Sequence, residues 1–143
     1  MERFEYAVLL TAATEGGYVV TCRDLPELIT QGESVAEALV EAADAMGEVF
    51  AAYMQNKRDF PAPSKVRRRE YSVSPPAETV AKSALYVAMK EACVTNVQLA
   101  RRLGVDEKEV RRLLDPHYAS KLPRIAQAVS ALGKRLVIGL ETV

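Results

Sequence analysis

The sequence predicts an α+β protein in two parts: a small β-β-β-α-β domain, then an all-α domain that closes with a short strand. Three observations carry this. Apolar residues near the start repeat with period two, whereas from Val35 onward they recur at helical spacing. Ser74-Pro75-Pro76 interrupts the pattern once, as a domain boundary does. Gly104 stands between two short helical stretches, where only a tight turn fits.

In the first part, Phe4, Tyr6, Val8 and Leu10 alternate with Glu5, Ala7 and Leu9, the pattern of a strand with one apolar face. Glu15-Gly16-Gly17 is a hairpin turn, and Tyr18 to Cys22 is the β-branched and aromatic return strand. Asp24-Leu25-Pro26-Glu27 breaks the pairing, since proline offers no ladder donor. Leu28 to Thr30 reads as a short third strand, and Gln31-Gly32-Glu33 as a turn. Ser34 with Glu37 is a capping box that opens a long helix. Val35, Leu39, Ala42, Met46, Val49 or Phe50, and Tyr53 form its apolar stripe, with Glu37, Glu41, Asp44 and Glu48 mostly away from it. The helix frays at Asn56 to Asp59, ahead of Pro61 and Pro63. Arg67 to Val73 reads as a last edge strand. Its three consecutive arginines require that it be exposed on one side, or short. The expected domains are residues 1–73 and 78–143, with 74–77 as linker.

In the second part, Glu78 to Val94 reads as a helix with Val80, Leu85 or Ala84, Ala88 and Ala92 inward. Thr95 with Gln98 is a second capping box. Leu99 and Leu103 share one helix face, Ala100 allows a close crossing, and Gly104 ends the helix. Asp106 with Glu109 caps the next helix, whose Val110, Leu113 and Leu114 pack back onto the first. The order and spacing are those of a DNA-binding helix-turn-helix, with Lys108, Arg111 and Arg112 on the outer face. A plain helical hairpin is the alternative. Leu122 to Leu132 is a further helix with Ile125, Val129 and Leu132 inward and Gly133 as its stop. Arg135 to Glu141 has strand character, with Leu136, Ile138 and Leu140 on one side. Such a strand needs a mate, and a two-fold copy of itself is the expected one.

Bulk properties narrow the function. The 143 residues carry no net charge, yet the charge is unevenly placed. Through residue 60 four bases face eleven acids, a net −7, and the remainder has fifteen against eight, a net +7. Such a split predicts one cationic partner and one polyanion. No apolar run approaches the ~20 residues of a membrane span. The start, MERFEYAVLL, lacks the features of a secretory signal. Cys22 and Cys93 lie far apart, which fits a reduced cytoplasmic setting without disulfides or metal-ligand spacing. No phosphate-binding glycine loop, serine elbow or metal cluster is present, and His117 is the lone histidine. The chain is therefore expected not to be an enzyme and to need no cofactor or metal. Two alternatives stay open: a repressor whose first domain senses a small molecule, and a two-metal nuclease using Asp24, Glu33 and Glu48.

EGGYVVTCRDLPE, then TQGESVAEAL opening an acidic helix, then a helix-turn-helix running to ALGKRLVIGLE, resemble the HicB family of antitoxins over nearly the full length. The resemblance implies a first domain similar to a reduced ribonuclease H fold without its catalytic carboxylates. It implies that this domain masks a small basic toxin of the HicA type, an mRNA-cutting ribonuclease, and that the second domain represses the operon at its operator. Some members carry a ribbon-helix-helix module instead, but Ala100, Gly104 and Val110 fit the helix-turn-helix.

Residue roles follow as expectations. Thr95 and Asn96 seat the first helix on the DNA backbone. Lys108, Arg111 and Arg112 face the major groove, with an arginine on guanine O6 and N7. Glu109 either caps its helix or accepts from a cytosine amine. His117, Tyr118 and Lys121 grip flanking phosphates. Tyr18, Asp24, Glu27 and Glu33 meet the toxin. Reading two half-sites requires a homodimer, or a tetramer of two such dimers, through Ile125, Val129, Leu136, Ile138 and Leu140.

Overall fold

Alternation near the start does build a strand, β1 (Tyr6–Ala12). It pairs antiparallel with β2 (Tyr18–Cys22) on one side and β4 (Glu70–Val73) on the other, and β3 (Ile29–Gly32) completes the order β3-β2-β1-β4. Val8 lies opposite both Cys22 and Tyr71 in the central register. The long helix α1 (Val35–Gln55) has its N-terminus closed by Ser34, whose hydroxyl accepts from the Glu37 amide at 3.1 Å. Its Ala38, Ala42, Met46, Phe50 and Tyr53 pack with Tyr6, Val8, Val20, Leu25 and Leu28 as one core. Burial of those side chains is the main term holding the helix to the sheet.

The computed structural model describes residues 3–143. They fall into two compact units, one through Val80 and one from Ala81 to Val143.

Two boundaries in the first unit differ from expectation. The third strand begins at Ile29 and runs through Gln31 and Gly32, which continue the ladder instead of turning it. Leu28 drops into the core. Gly32 sits where β3 meets α1. A Cβ at that position would lie 2.4 Å from the Ala38 amide nitrogen, so only glycine fits. The last strand is shorter than expected, because Arg67, Arg68 and Arg69 form the turn before it.

From α2 (Ala77–Ala92) onward the chain is helical: α3 (Asn96–Leu103), α4 (Glu107–Leu114) and α5 (Leu122–Ser130) follow. Ala81, Leu85, Met89, Leu99, Ala100, Val110, Leu113, Ile125, Ala128 and Val129 form the second unit's core. In α2 the inward phase falls on Ala81, Leu85, Ala88 and Met89, whereas Ala92 is exposed.

The closing strand expected over Arg135 to Glu141 is not formed within the chain, where residues 134–143 have no regular structure. The reason is the absence of a mate: this unit holds no strand to pair with, and a lone strand leaves its backbone groups unbonded. Leu136 rests half-buried on the core, while Ile138 is 72 % and Leu140 102 % exposed. Ile125 and Val129, expected at a dimer contact, lie in their own unit's core at 0 % and 3 % exposure.

Candidate functional site

The α3–α4 pair is built by local chemistry. Thr95 closes α3 with both halves of a capping box: its Oγ1 accepts from the Gln98 amide at 3.2 Å, and its own amide donates to Gln98 Oε1 at 2.9 Å. Gly104 ends α3 in the left-handed region, with φ +67°, which turns the chain without strain on a Cβ. Asp106 accepts the Glu109 amide at 3.0 Å and so starts α4. Only this half of the expected box forms, since the Glu109 carboxylate leans to Arg112 at 3.8 Å.

The outer face of α4 is exposed and basic, but partly neutralised. Lys108 stands in solvent. Arg111, with 63 % of its side chain exposed, lies 3.7 Å from Glu107 one turn back. Surface pairs of this kind hold by only about 0.5 kcal/mol and yield readily to a stronger anion. The Arg112 guanidinium also sits 5.1 Å from the centre of the Tyr118 ring. Asp115 accepts the His117 amide at 2.9 Å, which fixes the bend after α4. His117, Tyr118 and Lys121 are exposed on the loop that follows, and Asn96 is the half-buried first residue of α3. The structure thus brings Lys108, Arg111, Arg112 and Tyr118 to one side of α4 and the loop after it.

Lys82 is the residue sequence reasoning missed. It is fully buried, and its Nζ lies 2.9 Å from the Arg112 carbonyl, 2.7 Å from that of Asp115, 2.5 Å from that of Tyr118 and 2.8 Å from Ser120 Oγ. Three ammonium protons are shared among four oxygens. The cation sits at the C-terminal end of α4, where helix carbonyls and dipole favour positive charge. It ties the end of α4 to the 115–120 loop. A signal existed: Lys82 lies three residues before Leu85 and seven before Met89, in phase with the inward stripe.

In the first unit the expected partner-binding residues separate. Asp24 accepts the Ser64 amide at 2.7 Å and its hydroxyl at 2.5 Å, so it is a loop clasp. Glu27 accepts from Tyr53 at 3.0 Å and Arg58 at 3.0 Å. Its own backbone amide, with those side chains, holds its carboxyl below the ordinary range. Tyr18 is half-buried opposite Gly32, and Glu33 remains exposed. Glu37, Glu41, Asp44 and Glu48 are exposed along α1, a helix with no Lys or Arg. Asp24, Glu33 and Glu48 do not assemble into a group of metal-ligating side chains among the described residues. Among those residues, too, no helix is long and apolar enough to cross a membrane.

Comparison with known proteins adds an independent line. A family model described as the HicB-like antitoxin of bacterial toxin–antitoxin systems matches residues 5–84. The chain is 39 % identical over 131 residues to an Antitoxin HicB of Escherichia coli K12, covering 92 % of this chain and 95 % of the relative. It is 35 % identical to an Antitoxin HicB of Pseudomonas fluorescens, covering 96 % and 94 %. It is 33 % identical to Antitoxin HicB 1 of Photorhabdus laumondii, covering 99 % and 90 %.

Proposed function

The chain belongs to the HicB-like antitoxin family, and from that premise we propose that it masks a small basic toxin of the HicA type in the cytoplasm and represses its own operon by binding operator DNA as a homodimer. The observation that carries the proposal is how differently charge is exposed in the two units. The first presents an acidic face on a helix that holds no Lys or Arg, and the second presents Lys108, Arg111 and Arg112 on the outer helix of a capped helix-turn-helix.

On this reading α4 enters the major groove and an arginine takes a guanine edge, while Thr95 and Asn96 set α3 on the phosphates. The exchange of Glu107 and Glu109 for DNA on the two arginines costs little, because both pairs are solvent-screened. Gel shift with the DNA upstream of this reading frame tests it. Arg111→Ala combined with Arg112→Ala weakens binding by about 1–3 kcal/mol for each arginine that was bidentate to a base. Unchanged affinity removes the assignment.

For the toxin, Glu33, Glu37, Glu41 and Asp44 are exposed acids that can meet a cationic surface, with Tyr18 opposite Gly32, next to Glu33. Asp24 and Glu27, whose carboxylates are engaged within the unit, are the further candidates. Pull-down with the product of the adjoining small basic reading frame decides this: Glu33→Lys with Glu41→Lys should weaken capture, and undiminished capture overturns it. Dimerisation on this reading rests on Leu136, Ile138 and Leu140, apolar side chains on a segment that pairs with no strand among the described residues. Sedimentation should give a dimer for the full chain and monomer once residues 137–143 are deleted.

A further inference from the structure

The turn that precedes β4 is a basic feature that neither role uses. Lys65, Arg67, Arg68 and Arg69 are all exposed, and no carboxylate lies within ion-pair distance of their side chains among the described residues. They are out of keeping with their surroundings. Through Val80 the chain has eight Lys and Arg against thirteen Asp and Glu, a net −5, and half of those eight cations fall within five residues.

The turn is also held in shape. Arg67 O accepts the Glu70 amide at 3.0 Å, which places Arg68 and Arg69 at the tip. Glu70 accepts the Arg67 amide at 2.8 Å and both a 2.8 Å Nε bond and a 2.8 Å Nη2 bond from Arg23. The same Arg23 reaches the Lys65 carbonyl at 2.6 Å, and Asp24 fastens Ser64 just before it. The one acid of the turn is thereby committed to Arg23, and the four cations are exposed on a fastened backbone. Guanidinium groups bind phosphate through a planar fork that matches two of its oxygens at once. A fixed frame lowers the entropy lost when they bind.

We propose that the Lys65–Arg69 turn is a second phosphate-backbone contact for duplex DNA, sequence-independent and additional to α3–α4. The inference rests on the DNA-binding role proposed above. It favours duplex DNA over other polyanions because a reading helix on the same chain raises the effective concentration of duplex at the turn.

The test is a salt titration. The full chain and its Arg67→Ala/Arg68→Ala/Arg69→Ala variant are bound to the upstream duplex across roughly 50–200 mM salt, where each phosphate contact contributes about 0.9 to the log–log slope. The variant keeps the Arg67 amide and the Arg23–Glu70 clasp, and unchanged circular dichroism and melting verify that. Its slope should fall by roughly 2–3 and its affinity by about tenfold or more near 100 mM. An unchanged slope, with wild-type chain binding and the Arg111/Arg112 variant weakened, overturns this inference and leaves the helix-turn-helix role standing. A flattened slope with the Arg111/Arg112 variant unaffected supports the turn and overturns the role of α4. Absence of wild-type binding overturns both. Weakening confined to a single-stranded RNA of equal length, with duplex binding intact, overturns the duplex assignment in favour of RNA.

Discussion

The N-terminal unit fastens its loops with carboxylates near its rim, and the C-terminal unit fastens its principal loop with an amine in its core. Asp24 reaches Ser64, Glu27 reaches Tyr53 and Arg58, and Glu70 reaches Arg23, and each of these acids keeps some exposure. Lys82 holds the 112–120 segment with its ammonium fully buried. In each unit some charged groups are thus committed within the fold. The units also differ in what failure costs. A rim carboxylate removed is replaced in part by water, whereas a buried ammonium removed leaves carbonyls that water reaches with difficulty.

The sharpest way to break that comparison is Lys82→Met, which keeps the length of the side chain and deletes its charge. It should cost about 2–3 kcal/mol and lower Tm by roughly 10 °C, measured by calorimetry. A change near zero would mean that desolvating the ammonium already cancelled its bonds. Next is Asp24→Ala, which removes two bonds to Ser64. It should cost about 1.5 kcal/mol in a urea titration, and should leave toxin capture intact if the acid is only a clasp. Glu70 sharpens the comparison through pH. The Arg23 side chain, then the Arg67 amide, hold its carboxyl down to about 2 against an ordinary 4.5. A depressed carboxyl contributes stability that is present above the unfolded value and lost as pH falls through the folded one. Tm of the wild type should therefore drop between pH 4.5 and about 2, and Glu70→Gln should flatten that drop.

Local devices are legible in the sequence and long-range ones are not. Thr95, Gly104 and Asp106 act within four residues of themselves, so spacing alone locates α3 and α4. The α1 stripe is legible for the same reason, since helical period is a local property. Asp24 and Glu27 look available in the sequence because their partners stand 40 residues away at Ser64, and 26 and 31 away at Tyr53 and Arg58. No periodicity encodes such pairings. Lys82 is in phase with the core yet easily overlooked, because lysine is almost never fully buried without partners. Three of those partners are backbone carbonyls, and a backbone carbonyl leaves no mark in a sequence. The terminal segment shows the converse: its alternation is plain in the residues, but strand formation needs a neighbour, and among the described residues none pairs with it.

The smallest predicted effect tests the premise that charge is reserved for partners at all. Glu41 has Glu37 four residues before it and Asp44 three after, on a helix with no cation to offset them. Like charges at these spacings each cost about 0.2–0.5 kcal/mol. Glu41→Gln should therefore stabilise the free chain, raising Tm by roughly 1 °C, while weakening capture of the toxin. Opposite signs in the two measurements are what a surface shaped for a cationic partner requires, because the repulsion is relieved only in the complex. If Glu41→Gln raises Tm and capture is unchanged, the acidic face of α1 is ordinary solvated surface, and the toxin docks elsewhere on the unit.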